Sequence, residues 1–421
     1  MKKITSIAVP LFCLLFFWPL YVLVIILTAL FNIIQIRKLI ALFHSKKTIR
    51  VLFWDAQPPN QSGNFFRVQK WVSRLNNSNQ NIKADDWYDF KDPAFTRIRK
   101  KYLLNMFVYT FMAYWRFLLC FRACFYNVII MRREFLLYYE FGGLFMEKFL
   151  LSLNRHIVYD IDDKIYEAKG EPRKLNFYTK YIQQQDGEKA THMFKLYKYF
   201  FPVSGPLIEK IKGQQPDLPD SHIQPMPMCV DYKRENNKVY AVKKSPIIIG
   251  WYGAPIKMKP LEMIVPALNN LVGKYDFKLC VICSVPFENA EAKFPIEFRP
   301  WSIETEEDNL RYFDIAVGPQ WNNISERRQA STFKVVQYMG FGLVSITSDL
   351  SYNRLLIEHG VNGFICQDDE WEKIFEYAFN HQDQFAAIGA KAYEAVYQQN
   401  SYDVFLPRMI KFLKFVAAEK N

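Results

Sequence analysis

The sequence predicts an α/β protein: two Rossmann-like halves behind an apolar N-terminal segment. Three observations predict it. Residues Ile7 to Ile36 (IAVPLFCLLFFWPLYVLVIILTALFNIIQI) carry no formal charge. A strand, a polar or glycine turn and a helix follow one another at 49–75 and again at 247–272. Phe333 to Gly363 reads as helix, tight turn, buried strand, polar loop, helix and turn.

Bulk composition fits this class. A chain of 421 residues, 50% hydrophobic and 17% aromatic, has enough apolar residues for two cores and an additional segment. The net charge of +12 suits an anionic partner: a nucleoside diphosphate, an anionic leaflet or nucleic acid. No Arg/Gly run or aromatic RNA-binding pattern is present, so no nucleic-acid partner is expected. The seven cysteines are odd in number and scattered, as in a reducing compartment. Cys280 and Cys283 form a CxxC within an apolar strand, where alternation points them to opposite faces, so they read as core. The six histidines show no zinc spacing.

Residues 1–47 read as a membrane anchor. The apolar run exceeds the ~20 residues that span a bilayer, and it is too long for a cleaved signal peptide. Lys2 and Lys3 stand on one side; Arg37, Lys38, Lys46, Lys47 and Arg50 stand on the other. The positive-inside bias places the bulk of the chain in the cytoplasm. Pro10 and Pro19 leave a re-entrant hairpin as the competing topology.

Residues 48–235 form the first half. Ile49 to Trp54 is a strand, and a Pro-containing loop with Gly63 leads to a helix carrying Phe66, Val68, Trp71, Val72 and Leu75. Arg67 lies in its first turn, as a cation for the cleft or for the surface. Tyr102 to Phe125 is aromatic but broken by Arg116 and Arg122; it reads equally as an interfacial helix or a core helix. Asn127 to Met131 is a strand ending in Arg132-Arg133-Glu134. Helix Tyr138 to Asn154 crosses to strand His156 to Tyr159, which ends in Asp160-Ile161-Asp162-Asp163. Adjacent parallel strands set these charges on one rim. There a carboxylate could orient an acceptor hydroxyl or accept its proton, bind a divalent ion, or cap the following helix. Lys174 to Lys189 is a helix, Tyr199 to Val203 a strand, and Pro206 to Ile211 a helix. The Pro-rich stretch 213–227 and the charged stretch 233–244 read as a linker.

Residues 236–400 form the second half. Strand Ile247 to Trp251, turn Tyr252-Gly253-Ala254-Pro255, helix Leu261 to Val272 and strand Phe277 to Cys283 make a nucleotide-binding unit. Short strands follow at Glu297 to Trp301 and Asp314 to Val317, with helix Glu304 to Tyr312 between. Phe333, Val336, Tyr338 and Met339 share a helix face, Gly340 and Gly342 end it, and Leu343 to Ile346 is a strand. Ser351 is the expected cap of a helix through Leu355 to Glu358. Asp368 to Asn380 and Gln384 to Asn400 are helices, and 401–421 is a final helix.

The second half resembles the donor-binding half of family 4 (group 1) nucleotide-sugar glycosyltransferases. Lys334, Gln337-Tyr338-Met339, Gly342, Asn353 and Gly360-Val361-Asn362-Gly363 carry the likeness. The FK-x-x-QYM pattern and the YDIDD at 159–163 are similar to one subgroup. Gln329 and Gln337 stand where many members have an E-x7-E pair, and Trp251 stands at a family arginine. The resemblance implies a GT-B fold, two Rossmann-like domains facing across a cleft, with the last helix packing back on the first domain. It implies Lys334 and Lys257 as cations for the donor diphosphate. Gly253, Arg328, Gln329, Gln337 and Asn353 become donor contacts; Gly63, Arg67, Arg133, Glu134 and Asp162 become acceptor contacts. Asp160 and Asp163 join the lysines as catalytic candidates.

The expected function is retaining transfer from a nucleoside-diphosphate sugar to a glycan or lipid-linked acceptor. The expected place is the cytoplasmic face of a bacterial inner membrane, with no cofactor and no metal required. The alternatives are a non-catalytic sugar-nucleotide scaffold of the same fold, and a GT-A-type enzyme with Asp160 and Asp162 on a metal.

Overall fold

The computed structural model describes residues 2–44, 47–55, 62–88, 102–133, 135, 143–162, 187–241, 244–302, 304–321 and 333–419. The chain divides into unit 1, Met1–Met226 with Leu406–Asn421, and unit 2, Pro227–Phe405.

Unit 1 opens with α1 (Lys2–Ile33), which turns at Ile34 and Gln35 into α2 (Ile36–Leu42). Gln35 takes the left-handed conformation, φ 50°, that makes the turn. Strands β1 (Ile49–Asp55), β2 (Ile82–Tyr88), β3 (Val128–Arg132), β4 (Ile157–Ile161) and β5 (Tyr199–Pro202) form one parallel sheet, in the order β2-β1-β3-β4-β5. Between β1 and β2 lie Ser62–Asn64, a π turn Phe65–Gln69 and α3 (Lys70–Asn76). Then come α4 (Tyr102–Cys120), a 3-10 turn Phe121–Phe125, α5 (Phe145–Leu153), α6 (Gly187–Leu196) and α7 (Gly205–Gln214). β3 and β4 are buried at every residue, as befits central parallel strands covered on both faces.

Unit 2 is a second parallel sheet. Its strands are β6 (Ile247–Tyr252), β7 (Phe277–Cys283), β8 (Ile296–Pro300), β9 (Ile315–Gly318), β10 (Val344–Ser348) and β11 (Phe364–Cys366), in the order β11-β10-β9-β6-β7-β8. Helices α8 (Val265–Leu271), α9 (Glu306–Tyr312), α10 (Phe333–Gly340), α11 (Ser351–Arg354), α12 (Trp371–Asn380) and α13 (Phe385–Asn400) cover it. Two cores lie on opposite faces: Ile249, Trp251, Val281 and Phe375 on one, Ile248, Tyr252, Cys280 and Tyr338 on the other. Cys280 and Cys283 belong to opposite cores, as their alternation requires. Each such buried large side chain contributes roughly 1.5–3 kcal/mol. The last helix, α14 (Tyr402–Ala418), returns the chain to unit 1.

Several elements differ from expectation. β2 and β11 were not expected: the first is a polar sheet edge and the second is only three residues long. Ser351 is not a cap; Leu350 takes that position, and α11 ends at Arg354 rather than running to Glu358. The helix expected from Leu261 begins as a 3-10 turn, Lys259–Ile264, where Pro260 and Pro266 interrupt α-helical bonding. The helix expected from Tyr138 is described only from Phe145, and the one at 174–189 falls outside the described residues apart from its last turn.

Helix α13 meets the turn before β10 at Gly389, where a Cβ would stand 2.2 Å from the Gly342 carbonyl oxygen. Gly342 itself needs φ 74°. Gly389→Ala is expected to destabilise unit 2 by about 1–3 kcal/mol, read as a lower urea midpoint.

Candidate active site

In each unit the strand order reverses once, between β1 and β3 and between β6 and β9. Ligands of open α/β sheets bind beyond the carboxyl strand ends at such a point.

At that edge of unit 1 the charged residues pair with one another. Arg67, placed by the π turn, gives Nε to both oxygens of Asp160 at 3.1 and 3.0 Å, and Nη1 to the Met226 carbonyl at 2.5 Å. Both partners are buried, so Arg67 is not a surface cation. Arg132 at the end of β3 donates to Asp55 at 2.7 Å and to Asp162. Arg133 reaches the other Asp162 oxygen at 2.8 Å. Its backbone is left-handed, φ 60°, which costs a non-glycine residue roughly 1–2 kcal/mol. Asn64, beside Gly63, donates to Asp55 at 3.1 Å.

The two aspartates are tuned in opposite directions. Burial pushes the Asp160 carboxyl up and outweighs the pull of Arg67. Burial also acts on Asp162, but Arg132 and Arg133 outweigh it and hold that carboxyl well below the ordinary range. In this arrangement Asp162 is a fixed anion, not a proton acceptor, and Asp160 holds Arg67. Arg133, at 29% side-chain exposure, is the accessible guanidinium of the group, against 2% for Arg132. Glu134 and Asp163 lie outside the described residues.

The carboxyl edge of unit 2 is cationic. The Lys334 ammonium, on the first turn of α10, lies 4.0 Å from the centre of the Trp251 ring at the end of β6. A Cβ at residue 253 would stand 2.4 Å from that nitrogen, so a side chain there would push the ammonium from its place. The Gly253 N–H itself is used, donated to the Ile282 carbonyl at 3.1 Å. Desolvation first, and Lys257 second, push the Lys334 amine down to about 7. The sequence therefore brings Lys334, Lys257 and Gly253 to one place.

Two other expected donor contacts are turned inward. Gln337 is 1% exposed, and its amide donates to Glu306 at 3.0 Å. Tyr232 and Tyr252 donate to the same carboxylate at 2.7 and 2.9 Å. Burial pushes Glu306 up despite these donors. Asn353 donates to the Ser348 carbonyl at 2.9 Å and ties α11 to β10. Arg328 and Gln329 lie outside the described residues. Asn362 of the Gly360–Gly363 motif is likewise internal, bonding Glu358 N–H and the Leu356 carbonyl.

Three further residues are not singled out by the sequence, although Thr347 falls in the polar loop expected after the strand Leu343 to Ile346. Glu306 looks like an ordinary first-turn acid of α9. Thr347 Oγ1 and Gln320 Oε1, near the ends of β10 and β9, are buried with no partner among the described residues. Only their position after apolar strands could have pointed to them. Among the described residues no three His, Cys, Asp or Glu side chains gather as metal ligands.

No family model matches the chain, and no curated protein matches it in sequence. Solved structures do. HepE of Anabaena, determined with UDP-glucose, is similar at 12% identity and TM-score 0.56, over 88% of this chain and 98% of that one. Sucrose-phosphate synthase from Thermosynechococcus elongatus is similar at 10% identity and TM-score 0.61, over 88% and 100%. The lipopolysaccharide outer core galactosyltransferase WaaB, in its apo form, is similar at 12% identity and TM-score 0.53, over 88% and 99%. With two parallel α/β sheets, this likeness gives the chain a GT-B fold.

Asp162→Asn takes from Arg132 and Arg133 the carboxylate they share and is expected to destabilise unit 1 by about 3–5 kcal/mol in urea unfolding. Lys334 gives a pH test. Folded, its amine releases its proton near pH 7; unfolded, near ~10.4. Between these values the unfolded chain binds more protons, so stability rises with pH. Lys334→Met is therefore expected to gain on the wild type as pH falls from about 10 to about 7.

Proposed function

We propose that the chain transfers a sugar from a nucleoside-diphosphate sugar to a glycan or lipid-linked acceptor. Retention of anomeric configuration, and a place at the cytoplasmic leaflet of a bacterial inner membrane, complete the reading. The observation that carries it is the Lys334 ammonium, seated on Trp251 above Gly253 with Lys257 beside it.

An amine that titrates near 7 is loosely protonated while the site is empty. A diphosphate favours the charged form, so the donor fixes the proton it needs. As the sugar–phosphate bond breaks, negative charge grows on the leaving oxygen, and a cation already in place stabilises it without reorganisation. The two amines supply the charge a divalent ion would otherwise supply, so turnover is expected without added metal. Gln337 and Asn353 act in this reading by holding α10 and α11 in place.

On unit 1 the acceptor side is assigned to Gly63, Arg133, Glu134 and Asp163, with Asp160 and Asp162 fixing the arginines. HepE, solved with UDP-glucose, and the galactosyltransferase WaaB support this class of reaction for the fold. The scaffold reading draws on Gln337, whose amide faces Glu306.

The test is a screen of nucleotide-sugars with the full chain in vesicles, reading released nucleoside diphosphate. Turnover is expected with one donor class, and Lys334→Met is expected to lower kcat about 10²–10³-fold. Tight nucleotide binding with no release from any donor would favour the scaffold.

A further inference from the structure

The first helices of unit 1 turn apolar side chains outward and bury arginines, beside Met112, Ala113 and Phe117 on the inner face of α4. On α4, Arg116 points inward at 1% exposure, while Phe111, Trp115 and Leu118 point outward. On α2, Arg37 is buried against Asn32, while Leu39 and Leu42 are exposed. A helix that faces water does the opposite. Of the 24 large apolar side chains exposed among the described residues, 18 lie on α1, the bend, α2 with Phe43, α4 and the 3-10 turn.

These elements are one surface. Helix α1 is seated by Leu20, Tyr21 and Val24, with Tyr21 against Phe145 at 5.4 Å and Phe31 against Phe149 at 5.9 Å. The Tyr114 hydroxyl of α4 donates to the Phe16 carbonyl at 2.5 Å. His44 bonds the Cys124 carbonyl at 2.9 Å, which joins the end of α2 to the 3-10 turn between exposed Phe43 and Phe125. Among the described residues no single helix is long and apolar enough to cross a membrane. The pair Trp18–Ile33 and Ile36–Leu42 qualifies only together, with a bend of 66°.

Charge selects what covers this surface. Residues 1–54 hold seven Lys or Arg and no Asp or Glu, and 93–133 are likewise free of acids. Lys38 and Arg122 are exposed on the same elements as the apolar side chains. Such a face, apolar with a cationic border, matches a leaflet of anionic lipid: acyl chains for the side chains, headgroup charge for the border.

We propose that α1, α2, α4 and the 3-10 turn dock together into one leaflet, with α1 lying in its plane rather than crossing it. A crossing α1 would have to leave its seat on α5. This deepens the membrane part of the proposed function and names its partner surface, but vesicle binding is read without donor or turnover. Loss of the transferase reading would leave it standing, and the reverse also holds.

The experiment synthesises the full chain, with an N-terminal epitope, beside sealed vesicles of phosphatidylethanolamine and phosphatidylglycerol. Flotation with the vesicles is expected, with the epitope open to protease added outside. Leu42→Glu with Phe125→Glu, both at exposed positions, is expected to lower vesicle partition on the order of a hundredfold at an unchanged thermal melt. Three results would each overturn the proposal. One is an epitope protected inside the vesicles, the mark of a span. Another is flotation indifferent to the double substitution. The third is a lipid-free dimer that the double substitution dissociates, without flotation, which would mean a second copy covers the face.

Discussion

Within each sheet every strand runs parallel, and the candidate site depends on that constraint. A parallel sheet sends each carboxyl end out at the same edge, so residues far apart in sequence arrive together. Arg67 and Asp160 lie 93 positions apart and share a buried ion pair. The two units then treat their charges differently. Unit 1 pairs Asp55, Asp160 and Asp162 with guanidiniums, because an unpaired buried charge is costly. Unit 2 gives Lys334 a ring face and a missing side chain instead. A cation over an aromatic ring gains ~0.5–2 kcal/mol, less than full compensation for lost water, and the amine holds its proton loosely as a result.

Much of the fold was legible because apolar runs mark central strands without reference to anything distant. Ile247–Tyr252 and Phe277–Cys283 could be read off their residues. β2 could not, since IKADDWY owes its strand to pairing along β1. The motif around Lys334 was legible as a motif, and its lysine does face Gly253. Gln337, three residues on, turns toward Glu306. Which face of α10 meets the core depends on α9 and β6, and helical spacing alone does not name them. Asp160, Asp162 and their arginines were visible as a cluster at strand ends, but not their pairing, which fixes the basicity of each carboxyl. The N-terminal segment shows the same limit: its length and lack of charge were plain, yet its seat on α5 is a tertiary fact.

Glycine marks the close approaches. At 253 its absent side chain admits an ammonium; at 389 it admits a carbonyl. Neither is required by local conformation: Gly253 shows in the sequence only as a turn glycine of the family pattern, and Gly389 does not announce itself. Gly342 does, through its left-handed backbone at the end of α10.

Unit 1 is made from two separated stretches of the chain, with Phe412, Leu413 and Val416 of α14 buried in it. Unit 2 is encoded entirely between those stretches. During synthesis, then, the lobe begun first is finished last. Its hydrophobic interior stays open until α14 has left the ribosome, while the lobe begun second already has every residue it needs.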